Sequence, residues 1–378
     1  MNTADFANLT LFITGPTYLR PEVRQAGLLP EFGHRDKENE KRFCPIFADL
    51  KKIAGVGADY ELIIFNGSGT NAMEASIRSL VADGETVLNV SVGAFGDLYH
   101  KLAQVNGKKA VQLKFEPGQT MDLDKLESAM KAHKPAAVSL THNETSTGVT
   151  NDIVGACALV KAHGALPLVD GVSIFGGAPA RINESAPAMY VTSTQKALGL
   201  PAGFGLAFVS AEALAKAEKV QNRGFTSDIL AQLGRAKKHQ TLTTPNTTLA
   251  NQMAVQLDYI VNAEGLEARF KRHAAMRDQV HDWAANQDGF KLFAPSGYRS
   301  PTVTSVKVPS GVTQDQLKKL KEVLRGKGYL FDPGYAKLNT ALESEGKPLV
   351  FRIGHMGDLT PAMLAAYLTD LSAALKHL

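Results

Sequence analysis

From about residue 60 to residue 210 the chain alternates short runs of branched apolar residues with stretches whose apolar side chains return every three or four positions. The first kind of pattern predicts strands and the second helices. ELIIF (61–65) reads as a buried strand, and Met73, Ile77, Leu80 and Val81 after it mark a helix that stops by Gly84. TVLNVSV (86–92), AVQLKF (110–115), AAVSLT (136–141), ALPLVD (165–170), AMYVTS (188–193) and GLAFVS (205–210) read as further strands. Helical patterns at 97–105, 122–133 and 152–164 fall between them. Such alternation predicts an α/β fold with a mostly parallel sheet and helices on both faces. Beyond residue 246 the texture changes. Two long helical patterns, about 247–263 and 266–286, precede strand TVTSVKV (302–308), a helix over 313–328, strand LVFRIG (349–354) and a last helix from about 360. This predicts a second, α+β unit, with the boundary near 250–265.

With 378 residues, 44% hydrophobic and 21% charged, the chain can bury a sizeable core. Lys and Arg alternate with Asp and Glu throughout, so the net charge of +4 forms no basic stripe to follow a nucleic acid. No apolar run approaches the roughly 18 residues of a membrane span. The start, MNTADFANLT, lacks the basic and apolar regions of a signal peptide. Cys44 and Cys157 stand far apart without CxxC spacing, which excludes a disulfide framework and suits a reducing cytosol. No HExxH, CxxC or paired-carboxylate spacing points to a metal. A small soluble metabolic enzyme, cytoplasmic, is the class these observations favour.

Candidate chemistry gathers where predicted strands end. Ser193-Thr194-Gln195-Lys196 follows AMYV and precedes the glycine-rich ALGLPAGFG, which places a lysine at the carboxyl edge of the sheet. In open parallel sheets ligands bind beyond that edge. A desolvated lysine there has a lowered pKa and can form an imine with a carbonyl, although a lone lysine is more often a solvated surface residue. Asp170 ends the run ALPLV, 26 residues before Lys196, and can hold a pyridinium N–H; alternatively Asp170-Gly171 is a turn dipeptide. Gly67-Ser68-Gly69-Thr70 lies between strand and helix, where glycines and free helix N–H groups cradle a phosphate. The same run reads as GxGxxA (Gly67, Gly69, Ala72), but a dinucleotide site needs an acid roughly 20 residues on, and none occurs before Asp97. Phe95 could lie flat on a bound ring or simply fill the core. Thr145 and Ser146, in HNETSTG, offer hydroxyls at the same edge, where a turn or cap is the alternative. Arg352, in the apolar LVFRIG, suits bidentate capture of a carboxylate or an internal salt bridge. His34 and Arg35 form another polar pair with either reading open.

These segments resemble, in order and over nearly the whole chain, the class V aminotransferases, a branch of the fold-type I pyridoxal-phosphate enzymes. FITGPT, GHR, NGSGTNAMEA, HNETSTGV, LVDGVSIFGG, STQKALGLPAGFG and FRIGHMGD carry the likeness, and Asp170 through Lys196 is its most specific part. The resemblance implies a mostly parallel seven-stranded sheet sandwiched by helices. It also implies a large cofactor-binding unit, 16–255, and a small α+β unit from 1–15 and 256–378. Pyridoxal 5′-phosphate would be bound as an imine on Lys196, which is also the catalytic acid/base. Asp170 would hold the ring nitrogen, Val172 one ring face, and Phe95 the other, where many relatives carry tryptophan. Ser68, Gly69, Thr70 and Gln195 would surround the phosphate, and Thr145 would reach the ring hydroxyl. Thr243 would serve the neighbouring subunit's phosphate, implying a homodimer with shared sites; the tyrosine that relatives often carry three residues earlier is Gln240 here. Arg352 would take the substrate carboxylate with help from the Gly15 backbone, and His34 and Arg35 are further substrate candidates. The layout is most similar to serine– or alanine–glyoxylate (pyruvate) transaminases, which work by a ping-pong cycle. Phosphoserine or 2-aminoethylphosphonate transamination is the alternative. A desulfurase would need a cysteine on a mobile loop, and Cys157 falls in a predicted helix.

Overall fold

A computed structural model describes residues 8–376. Residues 1–7 of the expected small-unit segment 1–15 lie outside the described residues. The central sheet has seven strands, labelled in chain order: β1 (Tyr60–Gly67), β2 (Thr86–Ser91), β3 (Lys109–Lys114), β4 (Ala137–Thr141), β5 (Leu166–Asp170), β6 (Met189–Ser193) and β7 (Gly203–Ser210). Across the sheet they run β1-β7-β6-β5-β4-β2-β3. β7 is antiparallel to both of its neighbours, while the remaining pairs are parallel. The expected mostly parallel, seven-stranded α/β sheet is thus the one observed.

Both faces of the sheet are buried, as parallel strands require. Along β1, Leu62 and Ile64 point into one core with helices Lys37–Ala54, Ile153–Ala162 and Thr247–Asp258. Ile63 and Phe65, one residue out of step, point into the other core with helices Gly69–Leu80 and Ala94–Val105. Each large apolar side chain so buried contributes about 1.5–3 kcal/mol. Helix Lys37–Ala54, which the periodicity reading passed over, buries Phe43, Ile46, Phe47, Leu50 and Ile53 along one stripe. Asp36 caps its start by accepting from Glu38 N–H at 3.1 Å. The pattern over 247–263 proves to be two pieces, an α-helix to Asp258 and a π-helical Tyr259–Glu264 ending at Gly265.

A third core lies around a smaller antiparallel sheet formed by Lys291–Leu292, β8 (Val303–Lys307) and β9 (Val350–Gly354). Helices Leu266–Ala285, Gln314–Gly326 and Pro361–Leu375 cover it. The N-terminal segment crosses to this core: Thr10–Leu11 pairs in parallel with Tyr329–Leu330, and the Phe12 ring stacks on Tyr367 with centroids 3.9 Å apart. The next residues, Ile13 to Pro16, therefore pass directly from the small sheet to the edge of the large one. No helix among the described residues is long and apolar enough to cross a membrane.

Candidate active site

Lys196 sits in the connection between β6 and β7, at the carboxyl end of the parallel strands. The residue is 9% exposed, and Nζ donates to the Thr14 carbonyl. Burial lowers its pKa to about 8; the Arg352 charge acts in the same direction, and Asp170 and Asp332 act against it. At neutral pH roughly a tenth of such amines are unprotonated, against fewer than one in a thousand for an ordinary lysine. That makes it a usable nucleophile.

The backbone after the lysine is held from three directions. Thr17 Oγ1 donates to Lys196 O at 3.1 Å, Arg269 Nη2 to Ala197 O at 2.6 Å and Gln256 Nε2 to Leu198 O at 2.8 Å. Arg269 is fully buried and paired with Asp358 at 2.9 Å and Glu264 at 2.7 Å. Gln256 Nε2 also donates to Asp358 at 2.7 Å, so two of the three holds converge on one carboxylate.

Asp170 ends β5 and is 3% exposed. Oδ1 accepts from Val172 N–H at 2.8 Å, and Oδ2 has no hydrogen-bond partner among the described residues. Desolvation raises its pKa to about 7, opposed by the Val172 N–H and by Lys196 and reinforced by the nearby Glu144. A buried carboxylate with no ion-pair partner in contact is costly, and a cationic ring nitrogen would relieve it.

The glycine run after β1 opens helix Gly69–Leu80, with Asn71 Oδ1 accepting from Ser68 N–H at 2.8 Å. The first turn of that helix leaves N–H groups without intrahelical partners. Val172 Cγ2 lies over Gly69, 2.6 Å from where a β-carbon would stand. Gly205 at the start of β7 must be glycine, because a β-carbon would collide with the Ser68 carbonyl. Ser193 Oγ and Gln195 Oε1 are buried without partners among the described residues. Thr70 is exposed at the rim.

Phe95, half-buried, begins helix Ala94–Val105. Its N–H donates to Glu144 Oε2 at 3.0 Å, and the Gly96 N–H follows at 3.4 Å. Ser146 donates to Glu144 Oε1 from its N–H at 3.0 Å and its Oγ at 2.6 Å. Glu144 therefore ties Phe95 to the loop that carries Thr145. Burial pushes its carboxyl pKa up, and those hydrogen bonds pull it down. Arg352 on β9 reaches the same loop, donating from Nη1 to Thr145 O at 3.1 Å. Its Nη2 is paired with Asp332, 3.0 Å from Oδ2, and its Nε is buried without a partner among the described residues. Of the two sequence alternatives for Arg352 the internal salt bridge is present, and Nε is left as a free donor.

His34, Arg35 and Thr243 form a separate group. Arg35 Nη1 donates to Gln240 Oε1 and Thr241 O, and Nη2 to Leu242 O, each at 2.9 Å. His34 Nε2 lies 3.5 Å from Thr244 Oγ1, and Asn66 Nδ2 donates to Thr243 Oγ1 at 2.7 Å. Among the described residues no hydrogen bond or ion pair joins His34 or Arg35 to Lys196 or Arg352. Cys157 is buried in helix Ile153–Ala162 with its thiol pKa pushed up to about 12, and Cys44 lies in helix Lys37–Ala54. Among the described residues no group could hold a metal ion.

Glu144, Asp332 and Arg269 escaped the sequence reading. Glu144 was inside a motif already singled out, and Asp332-Pro333-Gly334 looks like an ordinary turn. Arg269 did leave a signal: with His273 it falls on the stripe of Met276 and Val280, where an apolar side chain belongs.

A poorly hydrated amine, a buried carboxylate beside it, orphaned polar atoms and a glycine-lined helix start fit one group, an aromatic aldehyde bearing a ring nitrogen and a phosphate. Fold and site together define a fold-type I pyridoxal-phosphate enzyme. The pattern of the family described as "Aminotransferase class-V" matches residues 35–326, and the chain belongs to that family. It is 33% identical over 377 residues to an uncharacterized aminotransferase of Methanocaldococcus jannaschii, covering 99% of this chain and 94% of the relative. It is 34% identical over 375 residues to a serine–glyoxylate aminotransferase of Methylorubrum extorquens, covering 94% and 88%. The crystal structure of an alanine–glyoxylate aminotransferase from Nostoc sp. superposes with a TM-score of 0.90 at 25% identity, over 99% of this chain and 97% of that one. The protein is a pyridoxal-phosphate-dependent aminotransferase that moves an amino group between an amino acid and an oxo acid.

Proposed function

We propose that the enzyme takes the amino group of serine or alanine and passes it to glyoxylate or pyruvate in a ping-pong cycle. The observation that carries this is the buried amine of Lys196 set beside a carboxylate with no ion-pair partner in contact, Asp170, in a chain whose relatives bear such names. When bound, pyridoxal phosphate supplies a ring that takes up electrons from the donor's Cα–H bond and stores the amino group between half-reactions. Lys196 Nζ would hold the cofactor and is the base placed to move the proton from the donor's Cα. Asp170 Oδ2 would keep the ring nitrogen protonated, Val172 and Phe95 would pack on the ring, and Thr145 would meet its hydroxyl. Ser68, Gly69, Thr70 and Gln195 would bind the phosphate through the helix start and the side-chain amide. Arg352 orients the carboxylate through Nε, with the Gly15 backbone alongside.

The same reading makes the enzyme a cytoplasmic homodimer with Thr243 serving the partner's phosphate site. Two unpaired cysteines suit a reducing compartment. His34 and Arg35 would then act from the interface loop rather than beside Lys196. Separate cores support two units, close to 16–255 and 1–15 with 256–378, although Leu257 and Ile260 pack into the large unit's core and Tyr18 against the small one.

Visible spectroscopy on the purified protein, with single amino acids added, tests the assignment. Serine or alanine should bleach the lysine-bound cofactor band and release a burst of keto acid without acceptor. A protein that takes up no cofactor, or whose band no amino acid alters, ends this reading.

A further inference from the structure

The guanidinium of Arg352 is countered before any substrate arrives. Asp332 approaches Nη2 with both carboxylate oxygens, at 3.0 and 3.2 Å. Asp332 is 5% exposed and is not a swinging counter-ion. Gly334 N–H donates to its Oδ1 at 3.0 Å, Thr14 Oγ1 to its Oδ2 at 3.3 Å, and its own carbonyl accepts from Arg352 N–H at 3.0 Å. Thr14 also links the pair to the reacting lysine, since its carbonyl accepts from Lys196 Nζ. The guanidinium retains one buried nitrogen without an acceptor, Nε. Buried donors are mostly satisfied, and this one, on the guanidinium that also reaches Thr145, is available to an acceptor.

We infer that Asp332 is a specificity-determining residue that restricts the site to substrates with a single carboxylate and turns away donors with a second anionic group on a short side chain. This rests on the transaminase reading above and names its substrate class. One carboxylate meeting Arg352 gains hydrogen bonds from a pair whose net charge is zero. A second negative group, as in aspartate or phosphoserine, enters a water-poor space already holding the Asp332 charge. The guanidinium it would meet is already shared with Asp332. Rejection by a built-in like charge is the means by which binding sites exclude a competitor.

The test uses holoenzyme and two α-methylated amino acids, α-methylserine and α-methylaspartate, which have no α-hydrogen and bind without turnover. Spectral titration should give a Kd for α-methylaspartate at least tenfold above that for α-methylserine. In Asp332→Asn that ratio should fall at least tenfold, and in Asp332→Glu, which keeps the charge, it should persist. Equal affinities in the wild type overturn the inference without any variant. A ratio unchanged in a folded Asp332→Asn reduces Asp332 to a brace for Arg352 and overturns it as well. If the ranking holds but no ordinary amino acid yields a keto acid, the transaminase reading falls while the inference stands. Should aspartate drive the half-reaction as readily as serine, the inference falls and that reading stands.

Discussion

A β-carbon on Gly15 would stand 2.7 Å from both Cδ and Nζ of Lys196. The N-terminal segment is thus a wall of the lysine's chamber, and its backbone at φ +118° is one that only glycine adopts without strain. Gly15→Ala should displace the amine more than it harms the fold. We expect a loss of about 1–3 kcal/mol in stability, the usual cost of overpacking. Cofactor-band absorbance should fall severalfold in protein that still melts cooperatively.

The lowered pKa of Lys196 sets a pH signature. The neutral amine is the nucleophile, and a pKa near 8 makes half of it available there rather than near 10.5. The rate at which cofactor-free protein captures pyridoxal phosphate should therefore rise with pH through a midpoint near 8. A midpoint above 10, followed by stopped-flow absorbance, would mean that the amine is hydrated.

Asp170→Asn removes the counter-charge for the ring nitrogen while keeping the shape and the acceptor for Val172 N–H. Cofactor should still attach, so borohydride reduction and peptide mapping should still label residue 196. The single-turnover rate with serine or alanine should drop on the order of 100-fold, the scale for removing one preorganised electrostatic partner. A variant as fast as wild type would remove Asp170 from the chemistry.

Arg269→Met tests the buried clamp behind the lysine. Asp358 and Glu264 would each lose a buried cation, and the Ala197 and Gly176 carbonyls a donor. Arg20 at 3.5 Å from Asp358 and Arg272 at 2.7 Å from Glu264 remain, so the cost should fall below the roughly 3–5 kcal/mol of a fully stranded buried charge while still lowering the melting temperature. Arg269→Lys should recover only part of it, because one ammonium cannot reproduce the planar fork.

Four histidines set the acid limit: His273 lies well below the ordinary value, His281 is lowered to about 4, and burial is the main cause in each case. His142 and His355 are fully desolvated, and burial lowers both to about 3. Unfolding lets them bind protons with an ordinary pKa near 6.5, so the unfolded state gains protons first as pH falls. Stability should hold above pH 6.5 and decline steadily from there toward pH 3. Melting temperatures across that range, in wild type and in His142→Gln, give the slope and the share of it that one imidazole contributes.

Much of this architecture can be read in the chain, for local reasons. β1 through β7 announce themselves because strands buried on both faces are short continuous apolar runs. Lys196 and Asp170 stand out because each interrupts or ends such a run. What could not be read is pairing across distance. Nothing near GLAFVS says that it runs antiparallel, since direction is decided by where the next partner lies. Asp332 meets Thr14 across 318 positions and Arg352 across 20, and no periodicity connects them. Glu144 is hidden differently: its partners are the backbone amides of Phe95 and Gly96, which any residue type could have supplied.

The reversed strand β7 has an architectural consequence. At its first residues Gly203 pairs with Gly67 and Gly205 with Ser193, so the loop that opens helix Gly69–Leu80 and the loop that carries Lys196 flank one ribbon of backbone. Arg352 rides on the small sheet, and Asp332 bridges to it from outside that sheet. The two sheets are nonetheless coupled, since Arg352 donates to the Thr145 carbonyl and Thr14 bonds both Asp332 and Lys196, so a change in the small sheet at Arg352 is felt at the lysine.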